Sequence, residues 1–150
     1  MPVRDLCFAK IIWAAAISIL SQAWIGVLFI LSGKIVGLTG PIPPELPGWL
    51  LCGAIGGVSV CAVQLFCSLV IRAFAPPVAF GLAGGILGLL FTAQGIGYAF
   101  PYSLLCIGMR ANNPLMELDY APFLISAAIY TALFTSLAVR HLRRHDAAAE

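Results

Sequence analysis

The chain has 150 residues, 61% of them hydrophobic and only 9% charged, with a mean hydropathy of +1.02, whereas soluble domains average about 45–50% apolar and about 25% charged. A water-soluble fold has no means of covering so much apolar surface, so that class is excluded. The net charge of +2 is small, and no nucleic-acid partner is expected.

A transmembrane helix needs about 20 apolar residues, because each adds about 1.5 Å across a hydrocarbon layer about 30 Å thick. Four segments reach that length, 11–33, 49–71, 78–100 and 120–139, and residues 73–109 contain no Asp, Glu, Lys or Arg at all. They predict an all-α polytopic membrane helix bundle, one transmembrane domain over residues 1–150 with four transmembrane helices and a polar tail at 140–150.

The first span follows Arg4, Asp5 and Lys10. It is longer than the apolar region of a signal peptide and lacks a small-x-small cleavage site, so it reads as retained. Ala15, Ser18, Gln22, Gly26 and Gly33 recur along it at helical spacing. Lipid tails supply no hydrophobic drive for helix association, so such small or weakly polar stripes mark packing faces. The connection 34–48 holds Pro41, Pro43, Pro44 and Pro47, which rules out a continuing helix and predicts an extended loop.

Trp49 opens the second span at the interface, where indoles prefer to sit. Its stripe is Gly53, Gly57, Cys61, Gln64 and Ser68, with Leu51, Ile55, Val58, Leu65 and Leu69 on other faces. Pro76 and Pro77 suit the first turn of the third helix, so the turn from Arg72 is tight and spans two and three are expected to form a close antiparallel hairpin. The third span carries Gly81, Gly85, Gly88, Thr92 and Gly95, with overlapping GxxxG pairs at Gly81/Gly85 and Gly84/Gly88. Beyond it, Pro101, Asn112, Asn113 and Pro114 stand among apolar residues, which suggests a short interfacial helix within 101–119. The fourth span has Ala127, Thr131, Thr135 and Ala138.

Lys and Arg concentrate in cytoplasmic loops. An N-in, C-in topology places Arg4, Lys10, Arg72, Arg140, Arg143 and Arg144 inside and Lys34 and Arg110 outside, six against two. Cys52, Cys61 and Cys67 fall in the second span, Cys7 on the inner side and Cys106 in the outer loop, so neither a disulfide framework nor a paired CxxC site is expected.

Two readings of the stripes stand side by side. Gly53, Gly57, Gly81, Gly85 and Gly88 suit a static helix interface or one that slides during transport. Gln22, Gln64 and Gln94 suit a substrate path or simple interhelical hydrogen bonds. The spans hold no ionisable coupling group of the kind proton- and ion-driven carriers use. His141 and His145 sit beside arginines in a tail suited to solvent or lipid headgroups. No Ser/His/Asp or Cys/His set converges, and no GxxxxGK[ST] loop is present. Neither a catalytic residue, a metal site nor a cofactor is therefore expected, and any active transport draws its energy from another subunit.

The stretch VQLFCSLVIRAFAPPVAFGLAGGILGLLF followed by YAFPYSLLCIGM resembles the permease subunits of type-2 ABC (ATP-binding cassette) exporters, particularly the lantibiotic-immunity branch. The likeness is carried by Gln64 and Leu65; by Ser68, Leu69 and Arg72; by Phe74, Ala75 and Pro77; by Gly81, Gly85 and Gly88; and by Phe100, Pro101, Tyr102, Ser103 and Leu104. PVRDLCFAK, with Arg4, Ala9 and Lys10, looks like the segment entering the third span of such permeases, and RHLRRHD resembles their basic end. They usually have six spans, of which the last four are visible; a truncated frame or a partner would account for the others.

The resemblance implies a multi-pass protein of a bacterial plasma membrane that pairs with a second permease subunit, as a homo- or heterodimer, and with an ABC ATPase subunit. The chain itself would be no enzyme, and the exporter would move a peptide or amphipathic substrate. Arg4, Lys10 and Arg72 would lie at the ATPase-docking side, while Phe100, Pro101 and Tyr102 would shape an outer gate. Composition fits as well with an alternative, a four-helix membrane scaffold that transports nothing.

Overall fold

The computed structural model describes residues 3–71, 73–110 and 117–146, without the side chains of Val3, Arg4, Leu6, His145 and Asp146. Among the described residues all regular structure is helical: α1 (Val3–Ile35), α2 (Leu46–Val70), α3 (Ala75–Ala93), a 3-10 turn (Gly97–Ala99), a short α4 (Ser103–Gly108) and α5 (Tyr120–Asp146). The four long helices are each apolar and long enough to cross a bilayer. Their outward faces carry large apolar side chains, Trp13 being 70% and Leu20 71% exposed, a surface suited to lipid rather than water.

Local chemistry sets the helix limits. Proline occupies the first turn of both α2 and α3, where its missing N–H has no intrahelical partner to lose. α1 and α3 end alike. Gly37 and Gly95 take positive φ of 80° and 77°, and the next N–H reaches back five residues, Leu38 to the Gly33 carbonyl and Ile96 to that of Phe91, the Schellman arrangement that a left-handed residue closes. The third helix therefore stops at Ala93 and not near residue 100 as its apolar run suggested. α5, by contrast, runs on through the basic tail to Asp146.

The helices alternate in direction, so two ends can be distinguished. The starts of α1 and α3 and the ends of α2 and α5 lie at the arginine end; the proline-rich loop lies at the other. α2 is the hub, packed against α1, α4 and α5.

The expected close hairpin of α2 with α3 gives way to a different arrangement. The two helices touch sparingly, and α3 packs mainly on α4, which is wedged between them. Nor does α4 lie at the interface as the sequence suggested: Tyr102, Ser103, Leu104 and Gly108 are buried. A Cβ added at Gly56 would stand 2.5 Å from the Leu104 carbonyl oxygen, and one at Gly108 2.6 Å from the backbone of Cys52. Gly56 is about 15 Å along α2 at 1.5 Å per residue, so the chain re-enters the bundle to mid-depth and α4 then runs back toward the proline-rich end, Leu104 facing Gly56 and Gly108 facing Cys52, before Arg110 takes a left-handed φ of 56°. Irregular backbone at such depth is tolerated because it is buried in protein rather than exposed to lipid. Asn112, Asn113 and Pro114 lie outside the described residues.

On the opposite flank, α5 closes the core: Phe123 and Ala127 pack with Cys52, Leu104 and Leu118. The fully buried Ser59 hydroxyl lies 3.2 Å from both the Ala127 carbonyl and Thr131 Oγ1. Interhelical hydrogen bonds in bilayers contribute about 0.6 kcal/mol on average, with a maximum near 1.7. Ser59→Ala is therefore expected to destabilise the chain by about 1 kcal/mol in an SDS-titrated unfolding measurement; an unchanged midpoint would mean that α2 and α5 are held by shape alone.

Candidate functional site

The most polar intramembrane constellation gathers where α2, α3 and the re-entrant segment meet. Gln64 projects from α2 at Gly81 of α3, and the glycine leaves room for it: an added Cβ would lie 2.7 Å from the end of the Gln64 amide. With the amide turned to match its neighbours, Gln64 Nε2 donates to the Pro77 carbonyl at 3.2 Å, and Oε1 accepts from the Gly81 N–H at 3.0 Å and from the Tyr102 hydroxyl at 2.7 Å. That orientation follows from the hydrogen-bond pattern, which is how amide oxygen and nitrogen are told apart. One side chain thus ties α2 to the first turns of α3 and to the re-entrant chain.

Tyr102 is held from three sides. Its ring lies over Gly84, its backbone approaches Gly88 to 2.9 Å of a notional Cβ, and its centroid is 5.5 Å from that of Phe100, which in turn is 5.0 Å from Phe91. Small residues on α3 let the ring descend, and the aromatic pairs fix its tilt.

Gln64 and Tyr102 form the deep end of an open cleft of about 820 Å³ between α1, α2 and α3, with Ser68 on its floor and Lys10 on its α1 wall. The cleft extends to the arginine end, where Ile71, Ala73 and Phe74 line it. Its walls are mainly apolar, with few polar groups at fixed points, a composition suited to an amphipathic ligand.

A second polar joint lies nearer the proline end. Gln22 of α1 is buried, and its Nε2 reaches Met109 Sδ at 3.4 Å while Oε1 finds no partner among the described residues. Gly53 makes room for both side chains, Gly57 does so for Ser18, and the Ser18 hydroxyl donates to the Ala54 carbonyl at 3.1 Å.

The residues singled out in the sequence are therefore distributed unevenly. Gln64 and Tyr102, expected as a path residue and an outer-gate residue, are in direct contact at depth. Phe100 stacks on Tyr102, and Pro101 is half-buried beside it. Gln94 is exposed at the end of α3, with its backbone N–H bonded to the Leu90 carbonyl, and it meets neither of the other glutamines. Gly53, Gly57, Gly81 and Gly88 face neighbouring helices or the re-entrant chain, but Gly85 does not: no atom of the described residues lies within 4 Å of its notional Cβ. The packing role expected of Gly85 is thus corrected, because the α3 stripe runs through Gly81, Gly84 and Gly88. Lys10 is exposed at the cleft, whereas the Arg4 side chain and all of Arg72 lie outside the described residues. Gly56, Gly108 and Ser59 were not singled out by sequence reasoning, which named Gly84 only within a GxxxG pair and Thr131 only within the stripe of the fourth span; small size at helical spacing was the available signal for Gly56.

The sequence model of one protein family, described as ABC-2 family transporter protein, matches residues 1–88, which span α1, α2 and α3 as far as Gly88. No curated protein and no solved structure matches the chain.

Proposed function

Because this chain belongs to the ABC-2 transporter family, a family of multi-pass membrane proteins that work with an ATPase, we propose that it is the permease subunit of an ATP-driven exporter. It pairs with a second permease in a bacterial plasma membrane, N- and C-termini inside, and expels a peptide or another amphipathic molecule. The observation that carries this reading is the cleft between α1, α2 and α3, mainly apolar along its walls and closed at depth by the Gln64–Tyr102 hydrogen bond.

The mechanism follows from what holds the deep end shut. α3 meets α2 sparingly, so a small displacement of α3 is opposed mainly by the Gln64 bonds and by the seating of Tyr102 on Gly84 and Gly88. ATP binding on the partner subunit moves the arginine end of the spans, breaks the Tyr102 bond and lets the cleft continue toward the other face. The chain hydrolyses nothing itself. A substrate's apolar part lies along α3 and α1, and its polar groups exchange with Ser68, Gln64 and the Tyr102 hydroxyl.

Purification of the full chain from its native host in mild detergent is expected to recover an ABC ATPase. The double reversal Arg4→Glu/Lys10→Glu lowers that recovery about fivefold, the value of roughly 1 kcal/mol of interfacial charge pairing. Lys34→Glu, at the opposite end, leaves it unchanged. A chain that never carries an ATPase would end the transporter reading in favour of a scaffold; equal recovery from the double variant would remove only the docking assignment.

A further inference from the structure

A second cavity, of about 480 Å³, lies at the arginine end between the start of α1 and the end of α5 and shares no lining residue with the cleft. It is lined by Phe8, Thr135, Ser136, Arg140, Arg143 and Arg144. We infer that this cavity binds the phosphate headgroup of an anionic phospholipid from the surrounding leaflet.

Three observations support it. First, Ser136, Arg140, Arg143 and Arg144 follow one another at intervals of four, three and one along α5, which brings three guanidinium groups and a hydroxyl to one cavity. The arginines are exposed, and among the described residues none has an acidic partner. Guanidinium forks match phosphate oxygens in pairs.

Second, Thr135 lines the same cavity, and its Oγ1 is buried without a hydrogen-bond partner among the described residues. Buried hydroxyls are normally paired, and an arriving phosphate oxygen supplies an acceptor. Third, the level is that of headgroups. Residues 120–139 of α5 are uncharged and span about 30 Å, the thickness of the hydrocarbon layer, so Arg140 emerges at the plane where phosphates lie. Phe8 and the apolar flank of α5 continue below that plane, where an acyl chain would lie against them. A free phosphate would use the arginines but not the apolar flank. Basic pockets between spans are the arrangement by which membrane proteins hold acidic lipids.

The test uses the full chain in mild detergent, delipidated and titrated with phosphatidylglycerol, phosphatidylcholine or inorganic phosphate, with binding read by native mass spectrometry. Phosphatidylglycerol is expected to bind at least about tenfold more tightly than phosphatidylcholine. R140Q/R143Q/R144Q weakens it about a hundredfold, at about fivefold per arginine, while Lys34→Gln changes nothing. Thr135→Val, which keeps the shape and removes the hydroxyl, weakens it severalfold. If the triple variant unfolds, Arg143→Gln alone is read, with a loss of about fivefold. Equal binding of the two lipids, or undiminished phosphatidylglycerol binding by the arginine variants, overturns the inference. So does displacement of the bound lipid by an equal concentration of inorganic phosphate, or a triple variant that keeps its lipid and loses the ATPase, which would assign the arginines to an acidic protein surface.

Discussion

Gly56→Leu is expected to unseat α4 and cost the chain about 3 kcal/mol or more, the upper part of the range for overpacking a filled interior. The reason is the identity of the obstacle. A Cβ at position 56 would lie 2.5 to 2.7 Å from the carbonyl group of Leu104 and the nitrogen of Leu105, backbone atoms that have no rotamer into which to retreat. The re-entrant segment would have to move as a body, exposing Ser103 and the ends of α4 at mid-depth, where unpaired backbone groups are costly. Gly85→Leu provides the contrast: its Cβ meets nothing within 4 Å among the described residues, so it should change stability by less than about 0.5 kcal/mol. Thermal unfolding of both variants in the same detergent distinguishes them. A Gly56→Leu protein as stable as the parent would mean that α4 does not rest on α2 at this point.

That contrast also indicates how far the sequence was legible. The four spans required only an apolar count against the thickness of a bilayer, and composition alone carries that information. Which glycines face inward was harder. Gly81/Gly85 and Gly84/Gly88 are overlapping GxxxG pairs, and either is compatible with a helix interface. The choice between them is made by where Tyr102 sits, and Tyr102 belongs to a segment whose own helix of six residues is too short to declare a face by periodicity. A usable sign was present all the same: the charge-free run continues to residue 109, well past the glycine that ends α3, and a connection in water would not be so apolar. Gln64 and Tyr102 were each visible as polar groups in an apolar setting, but 38 residues separate them. No local pattern encodes a contact made by folding the chain back into the membrane.

The Gln64–Tyr102 pair then offers the sharpest separation of structure from transport. Gln64→Leu removes the partner of the Tyr102 hydroxyl together with the amide contacts to Pro77 and Gly81, and should destabilise the chain by about 2 kcal/mol. Tyr102→Phe removes one hydroxyl and keeps the ring on Gly84 and Phe100, so about 1 kcal/mol is expected. The double variant should lose less than the sum, since the hydroxyl that Gln64→Leu strands is no longer there; a coupling of about 1 kcal/mol identifies a direct bond. If that bond latches the cleft of the exporter proposed above, Tyr102→Phe weakens the closed state by the same amount, and the proposed assembly should lose at least about fivefold in substrate moved per ATP while the proposed ATPase partner remains attached. A static interface predicts the same stability cycle with normal transport per ATP. The stability measurement therefore tests the contact, and the transport ratio alone tests its use as a gate.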